Sequence, residues 1–417
     1  MMGFGNRIGT DFDNVSQRLV YNYIATQPDF RPVPSEVASE TAQRQFYDFI
    51  TGIFTALYHD PELIGMTTDP DETEDRPRPD RAYENESHKY LEARKLRRKN
   101  EEKIEGLFDS LQRLGELGTV RHGALVVERS DLGLNKRALE MLVRNLTRLG
   151  LQCSVDGQAL YLRSDAYPEM WDAWKLLATL GAAEAAAHDA QWRQQVGDEA
   201  QLQKWQVTTH RRYLGQIKNR IFKRALFDPA YDYSVDVLCR LSDDPASYRQ
   251  FTDALLAQGF EKTADWGSGL DVTNFLNLAF TKTYVGPEGE PLRLQFRTQF
   301  ESRYHRQILY TFVEDKVAVK TLLRQFASLS EPLQDLVYGF TGECRACGFC
   351  NQTNRKLPYN NVPAVYRGRP VRLCYYFKQL GTRELTRERL EEARALYSWV
   401  DDHYEVAAYP SSPAAEG

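Results

Sequence analysis

Apolar positions near the start of the chain recur every three to four residues. The clearest run is Phe46, Ile50, Phe54 and Leu57. This spacing places the four side chains on one face of an α-helix, so residues 1–66 are predicted to form a small helical unit. The segment 67–86 breaks the pattern, because it holds eight acidic residues and three prolines and has almost nothing to bury. We predict that it is a solvated linker.

A mixture of helical and strand-like patterns runs through residues 87–226. In order, it predicts a long charged helix at 87–117, a strand at 124–128, a helix ending at Gly150, a hairpin turning at Asp156-Gly157 and a helix opened by Pro168. Helix, helix and hairpin together are the outline of a winged helix, which predicts a winged-helix-like segment here. Residues 185–226 are predicted to be one long helix or a helical pair.

Alternating patterns dominate residues 227–340. SVDVLCRL (234–241) is predicted as a strand, and the next helix is capped by Asp244 and ended by Gly259. The segments FLNLAFTKTY, PLRLQFRTQF and RQILYTF predict three consecutive strands, with GPEGE as a hairpin loop and helices after them at 315–327 and 331–340. This order predicts an α+β fold with an antiparallel or mixed sheet and helices on one face.

Length and composition limit the number of domains and the compartments that are expected for the chain. A chain of 417 residues exceeds the usual size of one hydrophobic core, so two or three domains are expected. The N-terminus lacks a basic stretch followed by an apolar one, and no run is long and apolar enough to span a bilayer. A soluble cytoplasmic protein is expected. Cys153 and Cys239 stand alone in apolar surroundings and are predicted to be buried hydrophobic residues.

Four cysteines fall within one short segment near the C-terminus. Cys344, Cys347, Cys350 and Cys374 have the spacing C-x2-C-x2-C-x23-C. Clustered cysteines in a reducing compartment bind metal more often than they form disulfides. Because Cys374 would end the return strand of a hairpin that turns near Arg367-Gly368 or Gly368-Arg369, the four thiolates can close a tetrahedron. We predict a metal module at 341–400 and a disordered tail at 401–417.

Zinc is the first choice of metal, and a [4Fe–4S] cluster is the alternative. The segment C-x-x-C-G-x-C resembles the opening of a bacterial ferredoxin motif, in which three close cysteines and one remote cysteine hold a cluster. The chain departs from that motif at Asn354, where the motif has its fourth cysteine, and at Tyr375, where proline follows the remote cysteine. Free or redox-active thiols are the third alternative.

The end of the chain also resembles a group of uncharacterised bacterial proteins. These end in a cysteine knuckle followed by Y-x-x-G-x-x-(V/Y)-x-x-C, which corresponds with shifted spacing to the stretch from Tyr366 to Cys374. The resemblance covers the C-terminal quarter of the chain. It implies a metal module and no particular activity.

Basic residues cluster around the cysteines although the whole chain has a net charge of -5. The candidate anion-binding residues are Arg345, Arg355, Lys356, Arg367, Arg369, Arg372 and Lys378. Tyrosines interleave with them, a pattern that suits nucleic acid or another polyanion. Two structural alternatives stay open: the bases offset the negative charge of a four-thiolate zinc site, and the aromatics form a small core.

Two other basic surfaces were candidates for anion binding, namely the helix at 204–224 and the polar face of LRLQFRTQF, which carries Arg293 and Arg297. Their structural alternatives are a solvated helix face and an exposed sheet face. No P-loop, HExxH or GxSxG motif is present, and the seven histidines have no recognised ligand or catalytic spacing. The sequence therefore names no reaction. A purely structural metal site in an interaction protein is a further alternative.

Overall fold

In the computed structural model, the chain folds into two compact units. The structure describes residues 14–68, 88–196, 204–228, 231, 234–265, 274–301, 308–313, 316–344, 360–375, 380–382 and 386–407. Among the described residues, unit 1 lies within 14–231 and includes 274–275, and unit 2 lies within 234–265, 276–301 and 308–407. The predicted linker at 67–86 lies almost entirely outside the described residues. None of the helices described is long and apolar enough to cross a bilayer.

Unit 1 is mainly helical. Its helices are α1 (Val15–Ala25), α2 (Glu40–His59), α3 (His88–Leu117), α4 (Arg129–Leu132), α5 (Lys136–Arg148), α6 (Trp171–Val196) and α7 (Lys204–Lys223), with a 3₁₀ turn at Pro61–Ile64. Its strands are β1 (Thr119–Arg121), β2 (Ala124–Glu128), β3 (Gln152–Asp156) and β4 (Ala159–Arg163). The helices predicted for residues 1–66 are present in the described part of that range, which begins at residue 14. The prediction of a helical pair at 185–226 corresponds to α6 and α7.

An aromatic core holds α2, α6 and α7 together. The Phe46 ring lies 5.7 Å from Trp174 and 5.1 Å from Phe222, and all three side chains are fully buried. Trp174 also donates its indole N–H to the Leu111 carbonyl of α3 at 2.9 Å. The helix predicted to open at Pro168 begins instead at Trp171, because residues 168–170 form a turn.

The four strands of unit 1 form one antiparallel sheet in the order β1-β2-β4-β3. β3 and β4 are the predicted hairpin, and Gly157 supplies its turn with φ 52°. α4 and α5 precede that hairpin directly. The winged-helix-like interpretation stays a prediction, and the helices and the hairpin on which it depends are present.

Unit 2 combines helices with a five-stranded sheet. Its helices are α8 (Ser234–Leu241), α9 (Pro245–Ala257), α10 (Lys316–Arg324), α11 (Glu331–Thr341) and α12 (Arg387–His403). Its strands are β5 (Glu261–Asp265), β6 (Asn274–Val285), β7 (Pro291–Glu301), β8 (Ile308–Val313), β9 (Asn361–Tyr366), β10 (Arg369–Cys374) and β11 (Leu380–Thr382). The sheet has the order β11-β8-β7-β6-β5, and β9 pairs with β10 alone.

One prediction for unit 2 is wrong: residues 234–241 form the helix α8, not a strand. Val235, Leu238 and Cys239 are buried, and their spacing of three and four residues is that of a helix face. Contact with α9 therefore decided the conformation against the strand preference of the two valines. The three predicted strands after it are confirmed as β6, β7 and β8.

The sheet of unit 2 is antiparallel and packed with helices, which confirms the α+β class. Phe296 on β7 is fully buried, and its ring lies 4.9 Å from Phe251 of α9. Tyr397 of α12 donates its hydroxyl to the Phe312 carbonyl at 2.7 Å. Residues 401–407 were predicted to begin a disordered tail. They instead complete α12 and bond to β6, where the Ala407 N–H meets the Thr283 carbonyl at 2.9 Å.

Candidate metal centre

The β9–β10 hairpin carries the last of the four clustered cysteines. Its register pairs Tyr366 with Arg369 and Asn361 with Cys374. Arg367 and Gly368 form the turn, both with positive φ (49° and 76°). Two such residues in succession are typical of a type I′ turn, whose twist matches that of the flanking strands. The first of the two turn positions predicted from the sequence is therefore the one used.

The first cysteine of the knuckle is bonded to this hairpin. Glu343 bridges Leu373 in antiparallel fashion, the Cys344 N–H donates to the Arg372 carbonyl at 2.7 Å, and the Cys374 N–H donates to the Gly342 carbonyl at 3.3 Å. Cys344 and Cys374 are consequently diagonal neighbours on the same side of a short three-stranded arrangement. Thirty residues of sequence separate them.

A side-chain amide is directed at the sulfur of Cys344. Asn361 Nδ2 donates to Cys344 Sγ at 3.3 Å, and Arg372 Nη1 donates to Asn361 Oδ1 at 3.2 Å. The guanidinium thus fixes which end of the amide faces the sulfur. An amide N–H at this position can serve as an outer-shell hydrogen-bond donor to a sulfur ligand of a metal.

Two of the four predicted ligands are therefore brought together, and the other two lie outside the described residues. Cys347 and Cys350 belong to 345–359, of which nothing is described. Among the residues that are described, no group of three or more His, Cys, Asp or Glu side chains is arranged to hold a metal ion. The donor chemistry fits zinc, because Cys344 carries a free thiol supported by a hydrogen-bond donor.

The two lone cysteines differ from this cluster. Cys239 is buried and Cys153 is half-buried, and burial raises the pKa of both thiols. Both thiols therefore stay protonated at neutral pH. The predicted burial is found for Cys239, whereas Cys153 lies on the mostly exposed strand β3 and is only partly buried.

Two arginines of the hairpin turn form ion pairs with the segment before it. Arg367 Nη2 lies 2.8 Å from Asp335 Oδ2 of α11, and Arg369 pairs with Glu343. Hydrogen bonds from Arg367 and from the Tyr366 hydroxyl hold the pKa of Asp335 below its usual value. These contacts tie the hairpin to α11. Of the other candidate anion-binding residues, Arg345, Arg355, Lys356 and Lys378 lie outside the described residues.

Three bases of helix α7 are paired with glutamates of neighbouring helices in unit 1. Lys218 pairs with Glu116 of α3 at 3.2 Å, Arg220 with Glu184 of α6 at 2.8 Å, and Lys223 with Glu105 of α3 at 2.5 Å. These bases hold three helices together, which favours a structural role for them. On β7, Arg293 is exposed and Leu292 and Leu294 are buried, so the predicted alternation is confirmed.

One histidine forms a dyad with a carboxylate. His210 of α7 lies 2.8 Å from Asp189 Oδ1 of α6, and Arg193 occupies the other carboxylate oxygen at 2.9 Å. The Trp192 ring stacks on His210 with centroids 3.8 Å apart. Hydrogen bonds from His210 and Arg193 hold the pKa of Asp189 below its usual value. With both carboxylate oxygens engaged, the dyad fastens α6 to α7.

No protein family, no curated protein and no solved structure matches this chain. The resemblance of the C-terminal quarter to a group of uncharacterised bacterial proteins stays a prediction. Function must therefore be argued from the site alone.

Sequence reasoning missed Asn361, although a signal for it was present. Once a two-residue turn is placed at Arg367-Gly368, counting outward along the strands pairs Cys374 with Asn361. A polar residue opposite a metal-binding cysteine is a candidate hydrogen-bond donor to the site. The ion pairs of Arg367 and Arg369 had no comparable signal, because they depend on where α11 packs.

Proposed function

We propose that the C-terminal part of unit 2 holds a structural zinc ion through Cys344, Cys347, Cys350 and Cys374, in a protein of the reducing cytoplasm. One observation carries the proposal: the chain brings Cys344 next to Cys374 and directs the Asn361 amide at the Cys344 sulfur. Four thiolates satisfy the tetrahedral preference of zinc and leave no open position for a substrate. The metal would therefore stabilise the fold and take no part in a reaction.

A [4Fe–4S] cluster is the second candidate for the same four cysteines. The observation that favours it is the spacing, with three cysteines close together and one remote. In that case the protein would carry electrons. The two candidates differ in colour and in metal content, which makes them separable in a single preparation.

The test is metal analysis and an absorption spectrum of protein purified without oxygen. Zinc at one equivalent per chain, with no visible absorbance, supports the structural site. Iron with a broad band near ~400 nm supports the cluster. Replacing Cys344 and Cys374 by Ala is expected to abolish metal retention, whereas Cys153→Ala in unit 1 leaves it unchanged. A protein that contains neither metal, as purified and after reconstitution, would contradict both candidates.

Contact of the hairpin with nucleic acid or another polyanion stays a separate proposal. The ion pairs of Arg367 and Arg369 favour the alternative in which these arginines are structural. Arg372 is the exposed base that bears on the site, through Asn361. The polyanion contact requires binding that weakens when the three arginines are replaced by Gln and that falls steeply with added salt.

A further inference from the structure

A short helix, a three-residue turn and a second helix lie together in unit 1. α4 ends at Leu132, Gly133 turns the chain with φ 59°, and α5 starts after Asn135, whose side chain accepts from the Ala138 N–H at 2.9 Å. This is the outline of a helix-turn-helix. Leu132 and Leu139 are buried on its inner side.

Hydrogen bonds with α3 and with the β3–β4 hairpin hold α4, the first helix of this pair, in place. Arg113 of α3 donates to the Asp131 carbonyl at 3.0 Å. At the other side, the Arg129 N–H donates to the Gln158 carbonyl at 2.7 Å, and the Arg129 guanidinium donates to the Gly157 carbonyl at 3.1 Å. α4 is thus tied both to α3 and to the tip of the β3–β4 hairpin. α5 is presented on a rigid support.

The outer face of α5 is exposed and basic. We call it the α5 face; its members are Lys136, Arg137, Met141, Arg144 and Arg148. The buried residues of the same helix, Leu139, Leu142 and Leu146, lie on the opposite side. Glu140 is the one acid of α5, and it pairs with Lys136 at 4.0 Å.

Two arginines of this face have no partner among the described residues. Within the part of the chain that the structure describes, neither Arg137 nor Arg144 makes a hydrogen bond or an ion pair. This contrasts with α7, where Lys218, Arg220 and Lys223 are all paired with glutamates. Those three positive charges of α7 are used inside unit 1, whereas the charges of Arg137 and Arg144 are available to an external anion.

We propose that the α5 face binds double-stranded DNA in the major groove. An α-helix with its side chains is about 10–12 Å wide, and the major groove is about 12 Å wide. Arg137 and Arg144 are separated along the helix by roughly 10 Å, so the two guanidinium groups can contact different phosphates along the groove. Double-stranded RNA is excluded by its narrow major groove.

The hairpin tip does not share in this contact. Asp156 is exposed beside Gly157, and a carboxylate there repels phosphate. Met141, which is 52% exposed, lies between Arg137 and Arg144 and provides an apolar contact for base edges such as the thymine methyl group. The proposal does not depend on the metal site, because α5 belongs to unit 1.

The test is fluorescence anisotropy of the full chain with a labelled duplex of about 20 base pairs, at salt concentrations between about 50 and 200 mM. Binding that is steeply salt-dependent is expected. The double variant R137E/R144E should weaken it at least about tenfold, and R137Q/R144Q should lower the slope of log affinity against log salt by about 2. The matched control K95E/R98E, on exposed positions of α3, makes the same change in charge and should bind like the unaltered protein.

Several outcomes would overturn the proposal. One is the absence of binding at the lowest salt, and another is R137E/R144E binding as well as K95E/R98E. Equal affinity for duplex RNA would remove the major-groove assignment. Loss of binding on replacing the hairpin arginines, but not on replacing Arg137 and Arg144, would move the contact to unit 2. If R137E/R144E changed the oligomeric mass and left DNA affinity unaltered, the α5 face would be a protein interface.

Discussion

Asn361 is the residue on which the proposed metal site can be tested most finely. Its amide donates to Cys344 Sγ, and Arg372 orients it. Outer-shell partners of this kind typically change metal affinity by about 10–100-fold when they are removed. We expect Asn361→Leu to lower zinc affinity by about tenfold with the secondary structure intact, measured by competition with a chromophoric chelator. Arg372→Met, which frees the amide without removing it, should have a smaller effect.

The expected loss of zinc affinity in Asn361→Leu depends on the hydrogen bond from the Asn361 amide to Cys344 Sγ. If Asn361→Leu retained the metal as firmly as the unaltered protein, the hydrogen bond would have no part in binding. If Asn361→Leu unfolded the hairpin, circular dichroism would show it. Asn361→Gln, which keeps a donor, would then separate loss of the amide from loss of the fold.

The carboxyl group of Glu105 makes the stability of unit 1 depend on pH. Burial by itself raises its pKa, but Lys223 at 2.5 Å and hydrogen bonds from Tyr23 and Asn219 hold the pKa below its usual value. A carboxyl whose pKa is lower in the folded state stabilises the protein at pH values above its unfolded pKa of about 4.3. That stability is lost as the pH falls through the folded pKa. Asp109 acts in the opposite sense, because burial raises its pKa.

Lys223→Met is therefore expected to destabilise unit 1 at neutral pH. Breaking a fully buried pair costs about 3–5 kcal/mol, but Glu105 remains 30% exposed, so we expect about 2 kcal/mol. The loss of stability between about pH 6 and pH 3 should also become smaller, because the depressed pKa requires Lys223. Urea unfolding at both pH values measures this. Lys218→Met, on a pair that is 36% exposed at the lysine, is the matched control and should cost less than about 1 kcal/mol.

At the scale of elements, the approach of α3 to α6 depends on Gly115. A Cβ placed there would lie 2.6 Å from Trp174 Cδ1 and 2.7 Å from Ala178 Cβ. Gly106, in the same helix, has open space around it. We expect Gly106→Ala to stabilise unit 1 by up to about 1 kcal/mol through helix propensity, and Gly115→Ala to destabilise it by about 1–3 kcal/mol through overpacking.

Denaturant midpoints of the two variants check this pair of expectations. Both substitutions gain the same helix propensity, so the difference between them isolates the helix contact. Equal midpoints would show that α3 and α6 can move apart without cost.

Elements whose conformation is determined by local residues were predicted better than elements that depend on tertiary contacts. Turns and caps were reliable, because Asp156-Gly157, Asp244 and Arg367-Gly368 act through local backbone chemistry. α8 was predicted wrongly because its two valines favour a strand, whereas the helical spacing of Val235, Leu238 and Cys239 is the face that packs on α9. The wrong element is the one whose conformation is decided by a tertiary contact.

The same distinction applies to the candidate site. The approach of Cys344 to Cys374 depends on the backbone hydrogen bonds of 342–344 to β10, but the position of Cys374 at the end of the hairpin was predictable from the turn at Arg367-Gly368. The roles of the basic residues were not. Arg367 reaches Asp335 and Lys223 reaches Glu105 only because α11 and α3 pack where they do. Arg144 has no partner among the described residues for the same kind of reason.

At the scale of the whole molecule, the chain assigns different chemistry to its two units. Unit 1 contains the buried aromatic core, the glutamate–lysine pairs and the α5 face; unit 2 contains the antiparallel sheet and the cysteine hairpin. The two proposals are thereby independent. Removal of metal should leave DNA binding by unit 1 intact, and this follows even if the metal is essential to unit 2.

Differential scanning calorimetry of the metal-loaded chain tests that independence. We expect Gly115→Ala to lower a transition that belongs to unit 1, and Phe296→Ala, which removes a fully buried ring, to lower one that belongs to unit 2. Metal present at about 100 times its dissociation constant contributes about 2.7 kcal/mol, so a strong chelator should lower the unit 2 transition by about 5–10 °C and leave the other unchanged. A single transition that both substitutions and the chelator shift together would show that the chain unfolds as one cooperative body. A chelator without effect on metal-replete protein would remove the structural role proposed for the metal.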